Sequence, residues 1–331
     1  MLIIAEIAQA HEGSLGLAHS YIDALAAAGV NIVKFQTHIA EAESSSDEQF
    51  RVKFSYEDKT RFDYWKRMEF TLEQWIGLKN HCDEAGVEFM SSPFSCAAVD
   101  LLEKIGVKRY KIGSGELQNF LMLEKIAKTG KPIILSSGMS DWAELEETIQ
   151  FLKPFGNDLS LLQCTTAYPT QPEEWGLAML SEMKTRFNLP VGFSDHSSTP
   201  IASIAAATLG AEILEFHAVF DKTMFGPDAK ASLTIEEIKQ VVDGVNMITT
   251  SLQSTYNKTN SSKYSELKTM FGKSLAINKA LKKGDSIQIE DLESKKPGDK
   301  GISAKEYQTV MGKKINRDLN QWDFLKEDYI D

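Results

Sequence analysis

Two histidines end consecutive apolar runs near the middle of the chain. His196 ends the first run in segment 191–198 (VGFSDHSS), and His217 ends the second in segment 212–219 (EILEFHAV). Each run is typical of a buried strand, and neighbouring strands of a parallel barrel bring their carboxyl ends to one rim. Two imidazoles on one rim indicate a divalent metal site with open positions. The alternative is two unrelated histidines that cap strand ends through local hydrogen bonds.

Two lysines lie inside similar apolar runs, where an unpaired charge is costly. They are Lys34 in NIVKFQT and Lys111 in YKIGSG. The alternation of side chains aims Lys34 into a barrel mouth, and nearby serine hydroxyls and glycine N–H groups then predict a phosphate pocket. In the alternative interpretation, the lysines snorkel outwards or pair with Glu6 or Glu215 in a structural network.

Strand-like runs of this kind recur eight times, with helix-like stretches between them. This alternation predicts an α/β fold in which a parallel sheet closes into a (β/α)8 TIM barrel. The runs are 2–8, 31–37, 88–94, 109–115, 132–138, 159–165, 190–196 and 212–219. The helix-like stretches include 20–28, 72–85, 97–105, 119–129, 142–152 and 201–209.

A long interval separates the second run from the third and holds an acidic, aromatic stretch at 41–70. As the loop after the second strand, it is expected over the catalytic face. It is interpreted either as a lid or substrate wall, or as a surface insertion that packs its aromatic rings on the barrel edge. In the first case its hydrogen-bond donors are Arg61, Trp65, Lys66 and Arg67.

The composition changes after a last helix-like stretch at 235–252. The polar segment that follows is typical of a linker, and the end of the chain has short β-like pieces, glycine turns and many lysines. We therefore predict a barrel domain at 1–252, a linker at 253–270 and a small, mostly β domain at 271–331.

Charge and cysteine content narrow the class of protein. The 331 residues carry a net charge of −11, which argues against nucleic acid or an anionic membrane as a partner but not against a small anionic substrate. The three cysteines are odd in number and irregularly spaced, as expected of reduced thiols. No apolar run approaches the roughly 20 residues of a membrane span. We expect a soluble, cytoplasmic protein.

The motifs at the strand ends resemble those of the sialic acid synthase family, the nonulosonate synthases. The resemblance runs nearly end to end, and KALKKGDSI and KKPGDKGIS near the C-terminus resemble the antifreeze-like (SAF) module of that family. The motifs are AEIAQAHEGSLGLA (5–18), VKFQTH (33–38), SSPFS (91–95), YKIGSGE (110–116), ILSSGM (134–139), QCTTAYPTQPE (163–173), GFSDHS (192–197) and LEFHAVFDKTMFGPDAKASL (214–233).

The resemblance implies a reaction and a set of site residues. Phosphoenolpyruvate condenses with a 2-acetamido aldose such as N-acetylmannosamine, giving a nine-carbon 2-keto sugar acid and phosphate for surface-glycan precursors. A divalent metal, commonly manganese and otherwise magnesium or cobalt, is held by His196 and His217. Glu6, Glu215, Lys34 and Lys111 form the catalytic set. The phosphoenolpyruvate site maps onto Lys34, Ser92, Lys111, Ser114, Ser136 and Ser194, and the sugar site onto Gln36, Glu116, Tyr168, Asp228 and Lys296.

The resemblance also implies a domain-swapped homodimer, in which the SAF module of one chain caps the barrel of the other. Three positions depart from the family pattern: Ala10 replaces an Asn, Phe216 replaces a Lys or Arg, and Lys296 replaces an Arg that is not equivalent to Lys in bidentate contacts. These departures leave alternatives open. One is a synthase for a 6-phosphorylated sugar or for a diacetamido sugar of the legionaminate or pseudaminate type. Others are a synthase of seven- or eight-carbon acids and a non-catalytic relative that binds a sugar or a partner.

Overall fold

Eight parallel strands form a nearly closed barrel in the first part of the chain. A computed structural model describes residues 1–50 and 55–331, which divide into two units, 1–253 and 254–331. The strands are β1 (Leu2–Ala8), β2 (Ile32–Thr37), β3 (Glu88–Pro93), β4 (Tyr110–Ile112), β5 (Ile133–Ser136), β6 (Leu159–Cys164), β7 (Val191–Asp195) and β8 (Ile213–Val219). Their order is β3-β2-β1-β8-β7-β6-β5-β4, and β3 contacts β4 across the remaining gap. The predicted (β/α)8 barrel is confirmed.

Helices connect the strands. Several begin at capping boxes that the sequence encodes locally: the Asp141 carboxylate accepts from the Glu144 backbone N–H, and the Glu144 side chain accepts from the Asp141 N–H. The helices of this unit are α1 (Leu15–Ala28), α2 (Ala40–Glu43), α3 (Arg61–Met68), α4 (Leu72–Glu84), α5 (Cys96–Ile105), α6 (Phe120–Ala127), α7 (Trp142–Leu152), α8 (Met179–Phe187), α9 (Pro200–Thr208) and α10 (Ile235–Leu252). Helix α8 lies outside the helix-like stretches predicted from the sequence. A short strand, β9 (Leu233–Thr234), pairs with β8.

The barrel interior contains an apolar layer that lies below its polar mouth. Six buried side chains from six strands pack together there, separately from the larger core between strands and helices. They are Ile4, Ile32, Met90, Ile134, Leu162 and Ile213. Because side chains alternate along a strand, the next inward position is Glu6 on β1 and Lys34 on β2. The predicted inward direction of Lys34 agrees with this arrangement.

The inserted stretch between β2 and α4 forms part of the barrel rim. Its helix α3 buries Tyr64, Trp65 and Met68, which pack with Ala40 of α2. The cations predicted as donors are engaged: Lys66 pairs with Glu41 and Glu69, and Arg67 with Glu12 and Asp58. Residues 51–54 of this stretch lie outside the described residues.

The second unit has its own small core, which includes Leu275, Ile287, Ile315 and Leu325. Its antiparallel sheet pairs β10 (Ser274–Ile277) with β11 (Leu292–Lys295), and its helices are α11 (Ser265–Phe271) and α12 (Tyr307–Val310). The predicted linker is therefore not wholly irregular, because α11 begins within it. All three cysteines are unpaired, as predicted. None of the described helices has the length and apolar character needed to cross a membrane.

Candidate active site

The lateral register of three strands places the central carboxylate of the site. Glu6 on β1 lies opposite Lys34 on β2 and opposite His217 on β8. On the other side of β8, Glu215 lies opposite Ser194 of β7. Inward-facing residues at equivalent positions of parallel strands lie at the same level of the barrel. Residues that are distant in sequence therefore meet at one end of it.

Four buried charges meet at this level, and we call them the charge cluster: Glu6, Lys34, Lys111 and Glu215. Lys34 Nζ lies 2.6 Å from Glu6 Oε1 and 3.5 Å from Glu215 Oε2, while Lys111 Nζ lies 3.1 Å from Glu215 Oε1. None of the four side chains is more than 4% exposed. The charges of the cluster sum to zero. These distances show that the lysines pair with Glu6 and Glu215, as in the alternative interpretation of the sequence.

Mutual attraction determines the protonation of this cluster. Burial alone raises the pKa of Glu6, but Lys34, His217 and Lys111 outweigh it and hold that pKa far below its usual range. Burial opposes the charge on Glu215 in the same way, and the two lysines hold its pKa below its usual range. Both groups are therefore carboxylates at neutral pH. Glu215 Oε2 is buried with no hydrogen-bond partner among the described residues, so it can accept one from water or a ligand.

Serine hydroxyls line the same level. Ser136 Oγ accepts from Lys111 Nζ at 2.7 Å, Ser92 Oγ lies 3.5 Å from Lys34 Nζ, and Ser194 Oγ donates to Glu215 Oε1 at 3.1 Å. Ser114 Oγ instead accepts from the backbone N–H of Gly138 at 3.0 Å. A Cβ on Gly138 would lie 2.5 Å from that oxygen, so the close approach requires glycine.

The two histidines lie side by side at the rim. Their ring centroids are 5.3 Å apart, and the Tyr168 ring packs 4.2 Å from His196. His196 Nδ1 faces the Thr165 carbonyl at 3.0 Å, which leaves Nε2 for a ligand. His217 Nε2 lies 3.4 Å from Glu6 Oε2.

The donor set fits a divalent cation that keeps open coordination positions. Two neutral imidazoles suit a transition metal, and Glu6 adds a nearby negative charge. Burial alone would lower the pKa of His196, but Cys164, the Thr165 carbonyl and Glu6 raise it to about 9, so a cation must displace this proton. In residues 1–50 and 55–331 no group of three or more His, Cys, Asp or Glu side chains is arranged to hold a metal ion. A cation held by these two imidazoles would take further ligands from water or substrate.

Four of the residues predicted to contact the sugar, Gln36, Glu116, Tyr168 and Asp228, belong to the barrel unit. Gln36 Nε2 donates to Glu6 Oε1 at 2.7 Å, and Asp228 Oδ2 lies 4.0 Å from His217 Nδ1. Glu116 accepts from Asn119 at 2.8 Å, and burial together with the charge of Glu43 raises the Glu116 pKa. Lys296 belongs to the second unit, where its ammonium lies 5.0 Å from the centre of the Phe271 ring.

A family profile and known relatives agree with this geometry. The profile of the NeuB family matches residues 21–257. The chain belongs to the NeuB family. It is 35% identical to the N,N'-diacetyllegionaminic acid synthase of Campylobacter jejuni, over 98% of this chain and 99% of that protein. It is 32% identical to the human N-acetylneuraminate-9-phosphate synthase, over 99% of this chain and 92% of that protein.

A solved structure supports the assignment to the NeuB family. The N-acetylneuraminic acid synthetase of Leptospira borgpetersenii, crystallised with citrate, superposes with a TM-score of 0.71 at 29% identity. The superposition covers 81% of this chain and 90% of that one.

In this NeuB-family chain, the two barrel departures differ in their place. Phe216 is buried in the outer core between strands and helices, so it faces away from the mouth. Ala10 lines a small cavity beside His217, together with Gln9 and Asp228. Only Ala10 of this pair therefore borders the site.

Gln9 and His38 lie within the strand-end motifs 5–18 and 33–38, and neither they nor Glu43 were predicted to have a role. Gln9 and His38 are buried and hydrogen-bonded to each other, and His38 Nδ1 lies 2.6 Å from Glu43 Oε1. The strand-end positions of Gln9 and His38 were a usable signal. Glu43 gave none, because it lies in the inserted stretch.

Proposed function

We propose that the chain condenses phosphoenolpyruvate with a 2-acetamido aldose, forming a nine-carbon nonulosonic acid and phosphate for surface-glycan precursors. The observation that carries this proposal is the charge cluster, with two lysines and two carboxylates buried beside paired histidines. A purely structural ion network has no need of the adjoining imidazoles and serine hydroxyls. Relatives named as legionaminic and neuraminate-phosphate synthases support the reaction class.

Lys34 and Lys111 would bind the phosphate and carboxylate of phosphoenolpyruvate, with hydroxyls of Ser92, Ser114, Ser136 and Ser194 completing the pocket. Ionised donors bind such anions with short, strong hydrogen bonds. The fixed positions of the lysines bring the enol carbon C3 to the aldehyde carbon of the open-chain sugar. Because the lysines and most of these serines are buried, their contacts with an anion would be stronger than in bulk water.

Glu6 and Glu215 would act on the water that enters at C2 of the condensed product. Both are held as carboxylates by the lysines, and Glu215 Oε2 has a free acceptor position. Glu6 or Glu215 accepts a proton from this water, after which the C–O bond to phosphate breaks. His196 and His217 would hold a divalent metal, commonly manganese, which when bound would polarise the aldehyde and offset the charge of the incoming anion.

The sugar is proposed to be unphosphorylated, contacting Gln36, Glu116, Tyr168 and Asp228. Among the described residues of the inserted stretch, Lys66 and Arg67 are two cations that could take a sugar phosphate. Each already contacts two carboxylates within 3.1 Å. This engagement favours a neutral amino sugar, of either the monoacetamido or the diacetamido type.

We further propose a domain-swapped homodimer with the SAF module as the second unit. In that arrangement Lys296 of each chain would complete the sugar site of its partner. Residues 292–298 (LESKKPG), which include Lys296, form the strand β11 and the turn after it. The proposal follows the family resemblance of KKPGDKGIS.

Phosphate release from phosphoenolpyruvate tests the proposed reaction. The assay compares N-acetylmannosamine, its 6-phosphate and diacetamido hexoses, each with manganese and with a chelator. We expect release that requires both metal and an unphosphorylated 2-acetamido sugar, with a product mass equal to that of a nonulosonic acid. Release with the 6-phosphate alone would overturn the proposed sugar class. No release with any sugar and metal would overturn the reaction itself.

A further inference from the structure

A hydrogen-bond network runs from the inserted stretch to Glu6, and we call it the His38 network. His38 Nδ1 lies 2.6 Å from Glu43 Oε1, and His38 Nε2 lies 2.9 Å from Gln9 Nε2. Gln9 Nε2 also donates to Gln36 Oε1, and Gln36 Nε2 donates to Glu6 Oε1 at 2.7 Å. Its central members are buried, Gln9 at 4% exposed and His38 at 5%. The network therefore joins the inserted stretch to the charge cluster without passing through solvent.

The direction of each hydrogen bond follows from the chemistry of the groups. A carboxylate only accepts, so Glu43 requires the proton of His38 on Nδ1. His38 Nε2 is then an acceptor, which takes one hydrogen of the Gln9 amide. The other hydrogen of the Gln9 amide goes to Gln36 Oε1, which also lies 3.2 Å from His38 Nε2. Gln36 is left with its own NH2 group toward Glu6.

Aromatic packing holds the imidazole in this orientation. The His38 ring lies between Trp65 and Phe94, at centroid distances of 3.9 and 4.5 Å and nearly parallel to both. The Trp65 indole N–H in turn donates to Glu48 Oε2 at 3.1 Å. A ring that is stacked on both faces and bonded at both nitrogens has one orientation, which is the property of a supporting residue behind a binding site.

We infer that His38 is a positioning residue that fixes Gln36 as a hydrogen-bond donor toward the sugar, with Glu43 setting the His38 tautomer. This inference rests on the proposed function. One hydrogen of the Gln36 NH2 group binds Glu6, and the other is free for a substrate acceptor such as a hydroxyl or an acetamido carbonyl. The inserted stretch thus contributes to sugar binding through Glu43 and Trp65, which act on His38 and not on the substrate.

Two substitutions at one position separate this role from simple packing. His38→Gln places an amide oxygen near the former Nε2 and keeps an acceptor for Gln9. His38→Asn places its amide near the former Nδ1, so it keeps the bond to Glu43 and loses the acceptor. We expect His38→Asn to raise the KM for the sugar about fivefold to tenfold, as the loss of one hydrogen bond does, with the KM for phosphoenolpyruvate within about twofold of the parent. His38→Gln should stay within about twofold of the parent for both substrates.

His19→Asn is the matched control, because it removes an imidazole from the outer helix α1 and should leave both KM values unchanged. Glu43→Gln is a second test should His38→Asn fail to fold. It removes the carboxylate that sets the tautomer, so the sugar KM should rise about twofold to fivefold. In ¹⁵N-labelled protein, the parent His38 should give the signature of the Nδ1–H tautomer, and Glu43→Gln should change it.

The outcomes are distinct. A parent that releases no phosphate with any sugar overturns the proposed function and this inference with it. An active parent whose His38→Asn and His38→Gln variants behave alike overturns the inference only. The inference is equally overturned when the KM values for both substrates rise in parallel, or when His38 carries its proton on Nε2.

Discussion

The charge cluster combines two requirements in the same side chains. Lys34 and Lys111 must stay charged to bind an anion, yet an isolated buried ammonium is unstable. Glu6 and Glu215 supply the counter-charges, so the ligand-free barrel mouth is neutral at this level. In the proposed reaction an incoming anion would compete with these carboxylates for the lysines, and a cation at His196 and His217 would offset part of the added negative charge.

Substitution of Lys111 should separate binding from stability. Lys111→Met removes one hydrogen-bond donor to the proposed anion. It also removes one of the two cations that neutralise Glu215. We expect kcat/KM for phosphoenolpyruvate to fall about a hundredfold and the free energy of unfolding to fall by about 3 kcal/mol. Adding Glu215→Gln should restore part of the stability but not the activity. Activity assays and urea unfolding check both expectations.

Lys125→Met is the matched control, since Lys125 forms a partly exposed pair with Asp100 on the outside of the barrel. It should change stability by less than about 1 kcal/mol and leave activity intact. Full activity of Lys111→Met would contradict the anion-binding role of Lys111.

A buried histidine should make the fold sensitive to acid. Burial, reinforced by the charge of Arg67, lowers the pKa of His11 from 6.5 to about 3. Below pH 6.5 the unfolded chain therefore binds a proton at this residue, whereas the folded chain binds it only near pH 3. The free energy of unfolding should decrease by about 1.4 kcal/mol per pH unit through this window, and His11 should contribute nothing to pH dependence above it.

His11→Asn keeps an acceptor for the Gly13 backbone N–H, which in the parent donates to His11 Nδ1 at 3.0 Å. The free energy of unfolding, measured with urea between pH 7 and pH 4, should change less steeply with pH in this variant than in the parent. The difference should correspond to about one bound proton. Equal slopes would show that another group titrates there.

Among the elements, β7 carries a glycine where the barrel interior has no room for a side chain. A Cβ on Gly192 would lie 2.3 Å from the Ile213 carbonyl oxygen and 2.6 Å from Leu162 Cδ2. The neighbouring strands thus fill the space of the missing side chain, and this close packing holds Ser194 and Glu215 at one height.

Two Gly→Ala substitutions test this packing. Gly192→Ala should lower the free energy of unfolding by about 1–3 kcal/mol through overpacking. Gly77→Ala, within α4 and with open space around the position of its Cβ, should raise it by about 0.5–1 kcal/mol. Thermal or urea unfolding gives both values. A neutral Gly192→Ala would mean that β6 and β8 can separate without cost.

At the scale of the whole molecule, the proposed domain swap has a consequence for activity. The proposed swap has Lys296 of one chain serving the barrel of the other. A mixture of two defective variants, Lys111→Met and Lys296→Ala, distinguishes the arrangements after subunit exchange. Under a swap, the mixed dimer pairs the intact barrel of one chain with the intact second unit of the other.

We expect this mixture to recover activity at low sugar concentration up to about a quarter of the parent level, the share set by random pairing and one intact site per mixed dimer. Sedimentation should give twice the 36.9 kDa chain mass. Recovery no greater than the sum of the separate variants would contradict the swap, and a monomer would contradict the dimer.

The barrel and the polar residues at its mouth were predictable from local sequence patterns. Strand and helix periodicities are local, and a parallel barrel brings strand ends together whatever the loops do, so Glu6, Lys34, Lys111 and Glu215 could be named in advance. The partners of these residues became evident only from the three-dimensional packing. Phe216 faces outwards, Lys66 and Arg67 are already paired, and Glu43 reaches Glu6 through His38, because register and loop packing depend on contacts between residues far apart in sequence.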